Sequence, residues 1–269
     1  MYSVAYRFCL AGFLLLVGSK IAGLNLTFSL KQHKFILLQG ALLFSFNYLL
    51  VYNSELYLTS GLVGLMFSLL VFFNILNSRI FLKTPFELKV IIGGMLGIVG
   101  TSLIFWKELM AFSFTDGRLT GMALAIGGTA VASLGNITSA YNQSKGIPVI
   151  SSNAFGMAYG GILMLTLALL TGQPITFIFE TSYIASLLYL AIFGSIIAFG
   201  TYLTLVGNIG ASKAAYVNLI GPVIALALST IFEDYQWTLT SFSGAALILI
   251  GNTIALRRKK RVQLALAGK

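Results

Sequence analysis

Of 269 residues, 58% are hydrophobic and only 9% charged, whereas soluble domains carry roughly a quarter charged residues. Too little polar surface remains to cover a water-soluble globule, which excludes a soluble enzyme or binding domain. The net charge of +10 does not signal nucleic acid. Its densest part, Arg257 to Arg261, directly follows the last apolar run, where a basic cluster sets topology and touches anionic lipid headgroups.

Apolar runs of about 20 residues, enough to cross a hydrocarbon core, recur along the chain. In order they are Tyr2–Ile21, Phe35–Tyr57, Gly61–Leu82, Leu88–Trp106, Leu119–Tyr141, Val149–Thr171, Tyr183–Val206, Ala211–Phe232 and Leu239–Leu256. No run alternates strictly between apolar and polar, which argues against a lipid-facing β-barrel. Backbone polar groups in lipid must be satisfied within the segment. The predicted fold class is therefore an all-α integral membrane bundle of about nine transmembrane helices.

The first run opens with Arg7 and Phe8–Gly18, in the manner of a signal peptide. It continues to Ile21 without a small-x-small cleavage pattern, and eight spans follow, so it reads as a span. Arg7 sits about two turns inside it, either snorkelling to headgroups or offering a cation to a carboxylate. Cys9 is the only cysteine, so no intramolecular disulfide can form. His33, the sole histidine, is expected in a solvated loop beside Lys31 and Lys34. Without a second His or Cys no zinc-type site can be built, and no catalytic residue, metal or cofactor is expected.

Further along, Phe44, Tyr48, Tyr52 and Glu55 share a helical face of the second span. They form either an interfacial acid over packing tyrosines or a cavity wall whose rings and acid meet a substrate. In the fifth span Thr129, Ser133, Asn136 and Ala140 make a comparable stripe, equally readable as helix-packing contacts. Tyr202 in the seventh span pairs with Tyr52 in the repeat described below. In the eighth span Pro222 cannot donate to the carbonyl of Asn218, which frees that oxygen for the cavity or a water. Gly93/Gly97, Gly117/Gly121 and Gly156/Gly160 read as close helix contacts.

With the Arg257–Arg261 cluster cytoplasmic, alternate loops place Lys20, Lys31, Lys34, Arg79, Lys83, Lys89, Lys145, Lys213, the cluster and Lys269 inside, fourteen of the 17 cations. Arg7, Lys107 and Arg118 fall outside. Six acids (Glu55, Glu108, Asp116, Glu180, Glu233 and Asp234) lie on or near the outer side. This asymmetry follows the positive-inside rule and puts the amino terminus outside.

A shift of 150 residues superposes spans one to four on spans six to nine without a gap, with identities such as Ala41/Ala191, Ser45/Ser195, Tyr52/Tyr202, Leu69/Leu219 and Gly94/Gly244. An odd number of spans per copy makes the copies inverted, an arrangement secondary transporters use to open each face in turn. The fifth span lacks a partner, which would precede Met1. The expected organisation is an inverted five-plus-five repeat lacking its first helix: residues 1–106 as the first copy, 107–118 a linker loop, 119–256 the second copy and 257–269 a basic tail. An upstream apolar segment, a helix-donating subunit or a homodimer would supply the missing cover.

These residues resemble the EamA-type drug/metabolite transporter superfamily. The likeness is clearest in Leu190–Thr204, in Ile209-Gly-Ala-Ser-Lys-Ala-Ala215, in Pro222 and Glu233, and in Gly244–Asn252. Looser echoes are Arg7-Phe8, Tyr57-Leu-Thr-Ser-Gly61 and Gly93–Gly100. Where the family pattern has an intramembrane proline and a following acid in the first copy, this chain has Phe72 and Lys83. The resemblance implies a multi-pass protein of the cytoplasmic membrane that exports small metabolites such as amino acids through a central cavity. The candidate substrate-binding residues are Arg7, Tyr48, Tyr52, Glu55, Ser133, Asn136, Tyr202, Asn218 and Pro222. A nucleotide-sugar or lipid-intermediate carrier would need several cations facing the cavity, and only Arg7 lies well inside a span. A non-transporting scaffold or accessory subunit is the alternative of a different class.

The charge distribution predicts topology directly. Green fluorescent protein fused after Lys269 is expected to fluoresce and alkaline phosphatase fused there to be inactive, and the opposite pair of results overturns the orientation.

Overall fold

The computed structural model describes residues 1–112, 115–172, 174–232 and 235–257. Glu233, Asp234 and residues 258–269, with most of the basic cluster, lie outside the described residues, as does the side chain of Asp116. Among the described residues the structure is helical throughout, with eight helices long and apolar enough to cross a membrane and a shorter apolar one. In chain order they are α1 (Tyr2–Ile21), α2 (Leu30–Ser54), α3 (Ser60–Leu82), α4 (Leu88–Ile104, the shorter), α5 (Asp116–Ser144), α6 (Val149–Leu170), α7 (Thr181–Ile209), α8 (Ala211–Phe232) and α9 (Leu239–Leu256).

Their ends follow local chemistry. α2 begins five residues before its apolar run because Ser29 and Gln32 form a reciprocal capping box, the Gln32 amide oxygen accepting from the Ser29 N–H at 2.8 Å. His33 is thereby drawn into the first turn of α2 rather than a solvated loop. It is half-buried, with its Nδ1 2.9 Å from the Tyr159 hydroxyl and its ring edge-on to Phe155. Thr238 caps α9 in the same reciprocal way with Ser241. Lys83 adopts a left-handed φ of 56° to end α3.

Glycine decides the packing. In lipid no hydrophobic force drives helices together, so close backbone approach and van der Waals contact must. On α4 and α9, a Cβ added to Gly93 would lie 2.5 Å from the Gly251 carbonyl oxygen, and one on Gly100 2.6 Å from that of Gly244. As one residue number rises the other falls, so these helices run antiparallel. α1 and α6 cross alike: a Cβ on Gly12 would meet the Ala158 backbone at 2.6 Å, and one on Gly161 the Cys9 backbone at 2.6 Å. Gly156 and Gly160 lie against Gly40 of α2. Each of the two long seams joins a helix to the one about 150 residues later, running the opposite way. The same interval separates two π-helical turns, Leu42–Phe46 in α2 and Ile192–Ile197 in α7.

α5 is the central element. α2 and α3 pack on it, with Leu58, Val51 and Leu43 seated over Gly121, Gly128 and Gly135. Asn77 donates to Ser133 at 2.9 Å, and Asn142 donates to Gln39 at 2.9 Å. α7 has no equivalent cover. Tyr189, Phe193 and Ile197, each 150 residues beyond the buried Gln39, Leu43 and Asn47, are exposed.

The seams make an asymmetric prediction about stability. Gly100→Val should lower the thermal midpoint of the purified protein, since overpacking a filled contact costs about 1–3 kcal/mol. Gly18→Ala, where nothing lies within 4 Å, should leave it unchanged or slightly raised. Equal behaviour of the two variants in fluorescence-detected size-exclusion melts would falsify the seam.

Candidate functional site

A cavity of about 580 Å³ lies between α2, α3, α5, α7 and α8, with Thr101 of α4 also on its wall. Both halves of the chain build it. α2 contributes a stripe of Leu43, Asn47, Val51 and Glu55, with Tyr48 beside it, and α5 contributes Ala132 and Asn136. α7 contributes Gly194, Ala198 and Tyr202 at four-residue spacing, and α8 contributes Asn218 and Pro222. Glu55 and Ser60, both exposed, mark one end, and the lining residues Ala198 of α7 and Val217 of α8 are exposed as well. At the opposite end of the bundle Lys213 of α8 meets Glu87, just before α4, at 2.7 Å, the one ion pair among the described residues.

Of the candidates read from sequence, Tyr48, Glu55, Asn136, Tyr202, Asn218 and Pro222 line this cavity. Tyr52 does not: its ring stacks on Tyr48 but is half exposed away from the wall. Phe44 is fully buried among Phe8 and Phe199. The π-helical turn at Leu42–Phe46, whose wider loop holds an extra residue, puts Phe44 out of 3.6-residue register with the helix that follows. Within the regular helix after it the lining stripe runs through Asn47, Val51 and Glu55, one position off Tyr52. Ser133 is buried as acceptor for Asn77, and Thr129 donates to the Ala125 carbonyl at 2.8 Å.

Arg7 neither snorkels nor reaches the cavity wall. It is buried behind it, where Nε donates to Ser195 Oγ at 2.7 Å and Nη2 to the Gly194 carbonyl at 2.8 Å. The guanidinium also lies 5.1 Å from the Phe8 ring centre and 5.4 Å from that of Tyr48, within cation–π range. A buried cation needs such partners. Its effect is to tie α1 to the π-helical turn of α7 and to hold Tyr48, whose hydroxyl lies 3.5 Å from Nη2.

Around Tyr202 the polar groups converge. Asn136 Nδ2 donates to its hydroxyl at 3.0 Å, and the side chains of Asn74 and Asn218 approach the same oxygen. Asn74 is fully buried and donates to the Ala211 carbonyl at 2.9 Å, at the start of α8. Pro222 lies inside the helix one turn beyond Asn218, so the Asn218 carbonyl loses its helical donor. Sequence reasoning missed Asn47, Ser68, Asn74 and Phe199. A search for every asparagine within the spans would have found two of them. Ser195, the partner of Arg7, was visible as the counterpart of Ser45.

A family model described as the EamA-like transporter family matches residues 1–106 and 119–257. Protein PecM of Dickeya dadantii is 25% identical over 261 residues, covering 94% of this chain and 83% of PecM. An uncharacterized transporter of Bacillus subtilis, YvbV, is 27% identical, covering 79% and 68% of the two chains. A probable amino-acid metabolite efflux pump of Escherichia coli is 34% identical over 88 residues, 32% of this chain and 29% of the pump. A crystal structure of another protein superposes with a TM-score of 0.79 over 95% of this chain and 86% of its own, at 17% identity, a likeness of fold.

The Arg7 cluster gives a test of coupling. Arg7→Leu and Ser195→Ala should each lower the thermal midpoint, Arg7→Leu by an amount corresponding to about 1.5–3 kcal/mol for a charged hydrogen bond. The double variant should lose less than the two shifts added, because both remove one contact; strictly additive shifts refute the tie.

Proposed function

The chain belongs to the EamA-like transporter family, and on that premise we propose that it exports small uncharged or zwitterionic metabolites, amino acids among them, across the cytoplasmic membrane by alternating access. That it is a multi-pass membrane transporter follows from the family and from its apolar helices. Substrate class and direction rest on the cavity. The carrying observation is a cavity of about 580 Å³ walled by both halves of the chain, mixing aromatic rings with asparagine amides. Small-molecule sites are of this size and makeup, apolar with a few placed polar groups.

The likeness to a probable amino-acid metabolite efflux pump of Escherichia coli supports the amino-acid reading. In the proposed orientation Glu55 lies at the outer mouth, and the exposed Lys213–Glu87 pair lies at the inner end of the bundle. The absence of any cation from the cavity lining disfavours phosphate esters and nucleotide sugars, which need cationic partners.

Counterflow in proteoliposomes against a panel of amino acids and neutral metabolites tests the reading. Asn218→Leu is expected to depress exchange roughly tenfold, of the order of one buried hydrogen bond, while the protein remains inserted and monodisperse. Wild-type exchange by that variant removes Asn218 from the pathway, and no exchange of any solute by the native chain favours the scaffold alternative.

A further inference from the structure

The cavity's polar groups can be sorted by the bonding capacity each has left. Ser68 and Thr101 line it but donate their protons within their own helices, to Leu65 O at 2.6 Å and Gly97 O at 2.9 Å. Toward the cavity they offer lone pairs only. The Asn136 amide nitrogen is committed to Tyr202 at 3.0 Å, and that of Asn218 turns to the Ala215 carbonyl at 3.4 Å. The amide oxygens of Asn136 and Asn47 are buried without a partner. Glu55 adds a carboxylate, which accepts and does not donate when ionised.

On the donor side stand the hydroxyls of Tyr48, Tyr202 and Ser60 and the Asn47 amide nitrogen, all neutral. Arg7 is not among the lining residues, and its Nε and Nη2 are held behind the wall by Ser195 and Gly194. The wall is therefore acceptor-rich, carries an acid and has no cation. A solute that binds well must supply donors to the lone pairs that face the cavity.

Resting on the reading of this cavity as the transport site, we propose that the group recognised there is an ammonium and that a carboxylate on the solute is dispensable. A protonated amine carries three donors and no acceptor, the complement of this wall. The rings of Tyr48, Phe67, Phe199 and Tyr202 add π-faces that attract a cation. A carboxylate meets Glu55 as a like charge and must shed water with no cation among the described lining residues to receive it. Primary amines are accordingly ligands in their own right, and amino acids bind through their amino end.

A matched series separates the charges on one body: 2-phenylethylamine, phenylalanine and 3-phenylpropanoate, each radiolabelled and bound to the purified full chain in nanodiscs. The amine and the amino acid should bind with similar Kd, both roughly tenfold tighter than the carboxylate. Glu55→Gln should weaken the amine about fivefold and leave the carboxylate no weaker. Asn136→Asp, which adds charge without adding bulk, should tighten the amine. Carboxylate binding as tight as the amine, no amine binding where the amino acid binds, or an amine Kd indifferent to both substitutions overturns the ammonium inference and leaves the cavity as a transport site. Absence of binding by all three, together with absence of counterflow for any solute, removes the cavity reading itself and this inference with it.

Discussion

The structure depends on backbone-to-backbone contact between helices that have no hydrophobic reason to associate. Lipid tails solvate leucine as well as a neighbouring helix does, so stability must come from packing density and from polar groups that find partners inside the protein. α4 against α9 and α1 against α6 supply the first through glycines at which any side chain would collide with an opposing backbone. Those two seams keep the halves together, and the α4 seam borders the cavity only at Thr101. The cavity is then free to occupy the space between the remaining helices, which pack less closely.

What fills that space is polar in an organised way. Asn74 anchors the start of α8 through the Ala211 carbonyl and also approaches the Tyr202 hydroxyl. One residue on α3 thus couples the α7 wall to the α8 wall. Arg7 does the corresponding task from α1, gripping the π-helical turn of α7 through Ser195 and Gly194. Neither residue touches the cavity surface, yet both set where surface residues stand. A π-helical turn is held by fewer ideal bonds than α-helix, so it needs such outside partners. Both π-helical turns lie in helices that line the cavity, where a change of face orientation alters the wall.

Composition and run length were enough to read the class, the spans and most of their ends, because lipid imposes a length and a composition that the chain must show openly. The run Tyr2–Ile21 and the helix α1 coincide. Where sequence and structure part, the causes are local. Ser29 and Gln32 extend α2 backward through a capping box that hydropathy cannot register. The turn at Leu42–Phe46 takes Phe44 out of register with the wall residues that follow it, because helical periodicity assumes 3.6 residues per turn and a π-helical turn breaks that count. Arg7 was ambiguous for a different reason. A cation two turns inside a span can reach headgroups or a buried partner, and only the three-dimensional proximity of Ser195, 188 residues away, decides between them.

The unequal cover of the two halves bears on how the bundle meets lipid. α5 shields Gln39, Leu43 and Asn47 on α2, of which two are polar and could not face hydrocarbon without cost. The positions 150 residues later are Tyr189, Phe193 and Ile197, two of them wholly apolar and the third an aromatic ring with one hydroxyl. Farther along α7, Thr201 and Thr204 are exposed but return their hydroxyls to the backbone carbonyls of Ile197 and Gly200 at 2.8 and 2.7 Å. That bonding is the standard way a hydroxyl survives in lipid. Along this stretch the exposed threonine hydroxyls are satisfied within their own helix. α7 has a lipid-compatible face where α2 has a protein-compatible one, and the sequence difference between Gln39 and Tyr189 carries that distinction.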